Sequence, residues 1–457
     1  MKPFLVKDAV TACGGRFVGD EAALSREVTF VTSDSRTAAP GALFVAFKGA
    51  RVDGHDFMSG CLEKGAACCV SERDPADSSE TPCIVVDSSL RAIGAIAAWH
   101  RSRFDIPVIG ITGSVGKTTT KEMIAAVLEQ RYNTHRTEKN FNNELGVPWT
   151  LLRLDDDNEV SVVEMGISGF GEMRRLTNIV RPTIAVFTVI GEAHLEFLGD
   201  RSGVLRAKGE IFEGMGEDGL AVLNGDDDLL VNCHPTMRRV LYGRGAHNDV
   251  RAEDERPEGS EGIRFTVRHK DGAFEAFVPG YGSHLVTAAL AAAAVGLELG
   301  LTGEEIAAGM RNYKTVGNRA RVIPAGEITV IADCYNANPT STRAAIDSLS
   351  RMAGRKVCVL GDMLELGEGK EALHRSVGEY AVRGGADLVI GCGPLSRNTV
   401  EAAQAAGGSA MWFETKEAFI ERAREILKPG DCVLVKASLS MAFKQIVDAL
   451  TEGSANG

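Results

Sequence analysis

The alternation of apolar and polar positions divides the chain into three stretches. Residues 1 to about 86 carry short apolar runs, VTFVTSDS, GALFVAF and CIVVD, broken by Gly, Pro and Asp. That pattern predicts a small mixed α/β domain. From about 87 to 316, strand-like and helix-like runs alternate. IPVIGIT leads through a glycine turn into the helical pattern KEMIAAVLEQ, and VSVVEMG, TIAVFTVIG and LAVLNGD follow. Near-continuous apolar strands with helices between them predict a mostly parallel sheet covered on both faces. GIRFTVRHKDGAFEAFVPG alternates about Lys270-Asp271-Gly272 and predicts a hairpin. From 317 to 457 the alternation restarts with ITVIAD, KVCVLGD, ADLVIG and DCVLVKA, each followed by a helical pattern. The expected architecture is therefore α/β in three domains, 1–86, 87–316 and 317–457, the last doubly wound and Rossmann-like.

Composition adds few constraints. At 457 residues the chain is too long for one ordinary core. A hydrophobic content of 44% and a charged content of 25% are those of a soluble globular protein. The net charge of −12 argues against nucleic acid as a partner, which would need a surplus of Lys and Arg. Ten cysteines without a C-x-x-C pair, two of them adjacent at Cys68-Cys69, read as reduced thiols in a cytoplasmic protein. MKPFLVKDAV lacks the apolar run of a signal peptide. LVTAALAAAAVGLELG, at 285–300, is shorter than the ~20 residues of a membrane span and reads as a packed helix.

The candidate chemistry collects where open α/β sheets bind ligands, beyond the carboxyl ends of strands. Thr112 to Thr118 follows one strand, Glu164 ends another, and His194 follows a third. Asp333 and Asp362 end strands of the last domain. Gly113-Ser114-Val115-Gly116-Lys117-Thr118 keeps the end of a phosphate-binding loop, G-x-x-x-x-G-K-[ST]. Ile111 stands where that pattern begins with glycine. Glycines let backbone N–H groups turn toward phosphate oxygens, the following helix adds its positive end, Lys117 reaches the terminal phosphates, and Thr118 offers a hydroxyl to Mg²⁺. Two acidic runs look like metal bait. Asp155-Asp156-Asp157 is expected to be a solvated loop, and Asp226-Asp227-Asp228 to cap a helix.

TGSVGKTTTKEM resembles the shortened loop of the Mur ligases and the related folylpolyglutamate synthases. The likeness runs along nearly the whole chain. SDSRTAAPGALFVAFKGARVDGHDF at 33–57 is similar to the family's uridine-nucleotide domain. NFNNELGVPWTLL, VVEMGISGFGEM, GEAHLEFLGD and AKGEIF resemble its central P-loop ATPase domain. DCYNANPTSTRAAI and LGDMLELGE resemble the C-terminal domain of the branch that joins D-alanyl-D-alanine to UDP-N-acetylmuramoyl-tripeptide.

The resemblance implies an ATP-dependent amide ligase working as a cytoplasmic monomer with two Mg²⁺ ions. ATP would phosphorylate a substrate carboxylate, and an amine would then displace phosphate from the acyl phosphate. By the same resemblance Gly113, Ser114, Val115, Gly116, Lys117, Thr118 and Thr119 would cradle phosphate, with Lys117 stabilising the β- and γ-phosphates. Thr118 and Glu164 would hold one Mg²⁺; His194 and Lys208, the latter carbamylated, would serve a second. Asn142, Asn143, Arg319, Asp333, Tyr335, Asn336 and Asn338 would contact the nucleotide, and Ser35, Arg36, Lys48, Asp53 and His55 the uridine nucleotide. Val189, Leu285, Ala288, Ala332, Ala437 and Leu439 depart from the family's usual residues, and none of these removes a phosphate or metal residue. Two other readings stay open: another amide ligase of the superfamily, and a non-catalytic nucleotide-binding module.

Overall fold

A computed structural model describes residues 1–75, 81–258, 261–315 and 320–452. The described residues form three larger sheets. The N-terminal five-stranded sheet runs in the order Arg16–Val18, Cys83–Val85, Cys68–Ser71, Ala42–Val45, Phe30–Thr32, parallel except for its first pair. The adjacent cysteines lie in the buried strand Cys68–Ser71, and all ten are free thiols.

The central sheet has nine strands. Val108–Thr112 lies between Ile184–Phe187 and Val160–Glu164, parallel to both. The short strand Thr134–Arg136, which has no long apolar run to announce it, closes one edge. Leu220–Asn224, Arg238–Gly243 and Val250–Pro257 extend the parallel array on the other side. The hairpin Gly262–His269 with Gly272–Pro279 finishes that side antiparallel, turning at the expected residues.

Every side chain of Val108–Thr112 is buried because helices cover both faces. Ile109 and Ile111 point into a core shared with helices Lys117–Leu128 and His284–Glu298. The alanines of His284–Glu298 let it lie close to the Lys117–Leu128 helix, and Gly296 leaves room for Val127 and Ile306. On the opposite face a Cβ at Gly110 would lie 2.9 Å from Met165 Sδ. Packing at this density leaves the strand end, and so the loop after it, a single position.

The C-terminal sheet has the order Arg321–Ala325, Ile328–Ala332, Asp431–Lys436, Arg355–Gly361, Leu388–Cys392, Ala410–Phe413. All neighbours are parallel except the first pair. The four apolar runs read from sequence are four of these strands. Ala410–Phe413, half exposed at an edge, carried no comparable signal.

Helix Ser89–Arg101 joins the first two sheets. Arg101 is buried and donates to the carbonyls of Phe104, Val180 and Arg181. It thereby satisfies the C-terminal end of helix Glu172–Val180, where a cation is favoured. His100 beside it is fully buried against Phe4 and Phe104, with Nε2 3.1 Å from the Leu154 carbonyl. No described helix is long and apolar enough to cross a membrane.

One expectation about the acidic runs needs correction. Asp226-Asp227-Asp228 does not cap a helix. Asp227 accepts from Leu229, Leu230 and Ile190 amides in a turn, and Asp226 accepts from Arg244 and Gly245 amides. Asp228 pairs with Arg201. The run Asp155-Asp156-Asp157 is the solvated loop expected, with Asp156 and Asp157 exposed; Asp155 pairs there with the N-terminal ammonium and Asp156 with Lys2.

Burial pushes the His100 imidazole down to about 4, so it is neutral in the folded chain near neutral pH. The unfolded chain binds that proton at its ordinary value near 6.5. Stability is therefore complete above that value and falls with pH toward the folded-state value, by about 2 kcal/mol at pH 5 for this residue alone. Denaturant unfolding at a series of pH values should show the loss. His100→Gln, which keeps a donor for the Leu154 carbonyl, should flatten the slope; an equal slope in the variant would contradict the assignment.

Candidate active site

The anomaly in the glycine loop resolves at Ile111. It is an interior residue of the strand, buried and paired with Glu164 and Val186, so the turn begins only at Gly113. Gly113 has φ of 147°, and a Cβ there would lie 1.9 Å from Thr188 Oγ1. Gly116, at the start of helix Lys117–Leu128, has φ of 84° and nothing nearer to its Cβ position than 3.9 Å. Space and backbone conformation both demand glycine at Gly113. At Gly116 only conformation does.

Strand pairing sets Glu164 beside the loop. Its Oε2 accepts the Thr118 hydroxyl at 2.7 Å, and its Oε1 accepts Asn142 Nδ2 at 2.8 Å. The Glu164 amide donates to Thr137 Oγ1 at 3.0 Å. Thr118 and Glu164 are 5% and 1% exposed, so this is a fixed pair of oxygen donors rather than a surface contact. Lys117 Nζ donates to the Gly113 carbonyl at 2.7 Å, which folds the ammonium over the loop. Ser114 exchanges hydrogen bonds with Gly191, and its amide donates to the Val189 carbonyl. The departure at Val189 thus leaves this backbone contact intact.

Lys208 lies in helix Arg201–Gly209 and is 1% exposed. It makes no ion pair among the described residues. Burial, and then the nearby Lys117 charge, drives its proton affinity far below the usual lysine range, with Glu172 opposing. His194 sits in the left-handed region at φ of 55°, with Nδ1 2.6 Å from Glu365 Oε2. Burial and the Lys208 charge lower its proton affinity, and Glu365 offsets part of that.

The C-terminal sheet supplies the opposite wall. One cavity of about 410 Å³ is lined by Ser114 to Thr119, Asn142, Asn143, Glu164 and His194 from one side. Asp333, Tyr335, Asn336, Asn338 and Lys436 line it from the other. Lys436, 2% exposed, bonds Asp333 Oδ2 at 2.6 Å and the Asn336 carbonyl at 2.9 Å, fixing that wall. Two lining asparagines also hold backbone: Asn338 caps helix Pro339–Ser350, and Asn143 Oδ1 accepts the Gly146 amide. Tyr281, His284 and Lys436 were not among the site residues expected from sequence. Leu285 and Ala288 point into the core instead of the cavity, while Ala437 is buried and Leu439 exposed. Arg319 lies outside the described residues.

The expected uridine-nucleotide residues lie in segments that follow strands of the N-terminal sheet, and none of them lines this cavity. Ser35, Arg36, Lys48, Asp53 and His55 follow the carboxyl ends of Phe30–Thr32 and Ala42–Val45. Asp53 bonds His55 Nδ1 at 2.6 Å and Arg73 at 2.5 Å, and its carboxyl is held down at about 2, chiefly by His55. Lys48 bridges to Asp53 through the backbone, and Arg36 pairs with Asp34.

A glycine loop at a helix start, a buried Thr–Glu oxygen pair and a facing wall from a second sheet define the class: a phosphate-loop enzyme site closed by a second domain. Three profiles match in turn: Mur ligase family, catalytic domain, over 27–107; Mur ligase middle domain over 111–296; and Mur ligase, glutamate ligase domain, over 318–439. The chain belongs to the Mur ligase family. It is 39% identical over 429 residues to the UDP-N-acetylmuramoyl-tripeptide--D-alanyl-D-alanine ligase of Escherichia coli (strain K12), covering 92% of this chain and 93% of that one. A crystal structure of MurF from Acinetobacter baumannii matches with a TM-score of 0.91 at 30% identity over 99% of both chains. The MurF ligase of Thermotoga maritima in complex with ADP matches with a TM-score of 0.83 at 28% identity, covering 95% of this chain and 99% of that one.

The two loop glycines should respond differently to substitution. Gly116→Asn, a residue that tolerates the left-handed region, should cost about 1 kcal/mol of nucleotide affinity. Gly113→Asn should abolish binding, because its Cβ would collide with Thr188. Calorimetric titration with ATP separates the two, and equal affinities would contradict the geometry.

Proposed function

We propose that this chain is the ATP-dependent ligase that joins D-alanyl-D-alanine to UDP-N-acetylmuramoyl-tripeptide in peptidoglycan precursor synthesis. The observation that carries the reading is the shared cavity, with the phosphate loop on one wall and Asp333 to Asn338 on the other. The chain also aligns over nearly its full length with relatives of that name. We assign residues 1–86 to the uridine-nucleotide substrate, 87–316 to ATP, and 317–457 to the nucleotide and the incoming dipeptide.

A free carboxylate is a poor acyl donor. Its oxygen attacks the γ-phosphorus of ATP, ADP leaves, and the acyl phosphate so formed carries a good leaving group. The amine nitrogen then attacks the carbonyl carbon, the tetrahedral adduct collapses, phosphate departs, and the nitrogen gives up its extra proton. Lys117 neutralises the β- and γ-phosphates during transfer. Ser35, Arg36, Lys48, Asp53 and His55 hold the uridine nucleotide, while Asn142, Asn143, Arg319, Asp333, Tyr335, Asn336 and Asn338 orient ATP.

The donor set fits Mg²⁺. That ion takes oxygen ligands, one or two carboxylates together with substrate phosphates, and rarely a full protein cage. The Thr118 hydroxyl and Glu164 carboxylate are such a set, and no three His, Cys, Asp or Glu side chains converge as a cage among the described residues. Thr118 and Glu164 would hold Mg²⁺ there, and the ion would supply charge stabilisation for the transferring phosphoryl group. His194 and Lys208 would hold a second ion, with Lys208 as its carbamate. The amine must be neutral to attack CO₂, and burial next to Lys117 favours the neutral form. The enzyme works in the cytoplasm as a monomer.

Phosphate release tests the reading. It should require both the UDP-tripeptide and D-alanyl-D-alanine, and fall to background with glutamate or diaminopimelate as the amine. Release with either of those alone would point to another ligase of the family, and no release under any combination to a binding module.

The carbamate has its own readouts. The intact protein should gain the mass of one CO₂, lost on acidification, and ¹³C-labelled CO₂ should give one carbamate resonance. Lys208→Ala should lose activity by about 10²–10³-fold, as removing a charge-stabilising group does, with partial rescue by acetate. Lys208→Arg should lack both the resonance and the activity, because a guanidinium keeps its proton. A Lys208→Arg protein with unmutated turnover would remove the metal role.

A further inference from the structure

The two walls of the cavity are joined by a contact outside it. The first turn of helix Pro339–Ser350, from the C-terminal sheet, docks on Gly191-Glu192 of the central domain. The Glu192 amide donates to Thr340 Oγ1 at 3.2 Å, and the Thr340 hydroxyl donates to Glu192 Oε2. Arg343, one turn along, donates from Nη1 to Glu192 Oε1 at 3.2 Å and from Nη2 to Ser376 Oγ at 3.0 Å. Gly191 makes the approach possible, since a Cβ there would lie 2.3 Å from Thr340 Oγ1.

Gly191 is also the residue that holds the phosphate loop. Its amide donates to Ser114 Oγ at 3.0 Å, and that hydroxyl returns a bond to the Gly191 carbonyl at 3.1 Å. A continuous path of short contacts therefore runs from Arg343 and Thr340 through Glu192 and Gly191 to Ser114. Just before Thr340, the same helix begins at its cap Asn338, which lines the cavity. The loop and the opposite wall are thus fastened to one joint. Glu192 and Arg343 keep 20% and 30% side-chain exposure, as expected of a joint between domains rather than of a core.

We propose that Glu192 and Arg343 form a clasp that positions the phosphate loop from the C-terminal domain, so that nucleotide affinity depends on a pair of side chains that do not touch the nucleotide. They are positioning residues. This rests on the nucleotide-site reading above and adds the means by which its two walls are held in register. A charge-assisted bond at a half-buried joint is stronger than a neutral one, and partners in a single bond lose their effects together rather than additively.

The test is ATP binding to the full-length chain in the presence of Mg²⁺, by calorimetry, for Glu192→Gln, Arg343→Met and the double variant. Each single variant should weaken ATP about tenfold, a coupling of ordinary size between sites. The double variant should be no weaker than either single, and Arg343→Lys should recover part of the affinity. Thermal melting of the ligand-free proteins should not move, which separates positioning from loss of fold. Single variants that bind ATP like the unmutated chain, or effects that add in the double, would overturn the clasp while leaving the nucleotide site standing. An unmutated chain that binds no ATP would overturn both.

Discussion

The burial of Lys208 next to the Lys117 charge is the physical constraint on which the proposed chemistry depends. The Lys117 charge repels a second ammonium at Lys208, and burial penalises the Lys208 charge in its own right. Lys208 is 1% exposed and forms no ion pair among the described residues, so the folded chain stabilises it poorly as a cation. Such an arrangement is costly for a fold and useful for a site, because perturbed proton affinities gather where chemistry occurs. In the proposed reaction an incoming polyphosphate would offset Lys117, and a carbamate would remove the charge of Lys208. The same pair thus connects ATP binding with the proposed modification.

That pair stays where it is because the surrounding strands do not shift. Val108–Thr112 is buried along its whole length, and its parallel partner ends at Glu164. The Thr118–Glu164–Asn142 bonds then follow from register. The C-terminal sheet repeats the logic: Asp333 follows the end of Ile328–Ala332, and Lys436 ends the neighbouring strand, so their 2.6 Å bond is set by strand pairing. Two mostly parallel sheets thus present the carboxyl ends of their parallel strands to one cavity. Brought together, they can enclose a nucleotide that neither encloses alone.

Much of this was legible in the sequence, for a physical reason. Buried parallel strands leave long apolar runs, and ligand residues follow each run at once, so loop, Glu164 and Asp333 announce themselves by position. Residues defined by a contact between domains leave no such mark. Tyr281, whose hydroxyl reaches the Ser348 carbonyl, and Glu365, which meets His194, belong to contacts across 67 and 171 positions. The clasp spans 151. Ile111 looked like a defect in the loop because the motif is written for a longer turn; strand pairing shows that the turn starts two residues later. The acidic run at Asp226 to Asp228 was misread because its local bonds, to the Leu229 and Leu230 amides, close a turn, and its other partners, the Ile190, Arg244 and Gly245 amides and the Arg201 side chain, are distant in sequence.

The central claim is that the cavity passes a phosphoryl group to a substrate carboxylate. The most direct measurement follows oxygen rather than rate. The UDP-tripeptide would carry oxygen-18 in its terminal carboxylate and react with unlabelled ATP and D-alanyl-D-alanine. If an acyl phosphate forms and the amine expels its phosphate, one labelled oxygen must leave with inorganic phosphate. Mass spectrometry should then find one oxygen-18 per phosphate for each amide made. Amide formation with unlabelled phosphate would contradict the account, since it would mean that the carboxylate was never phosphorylated.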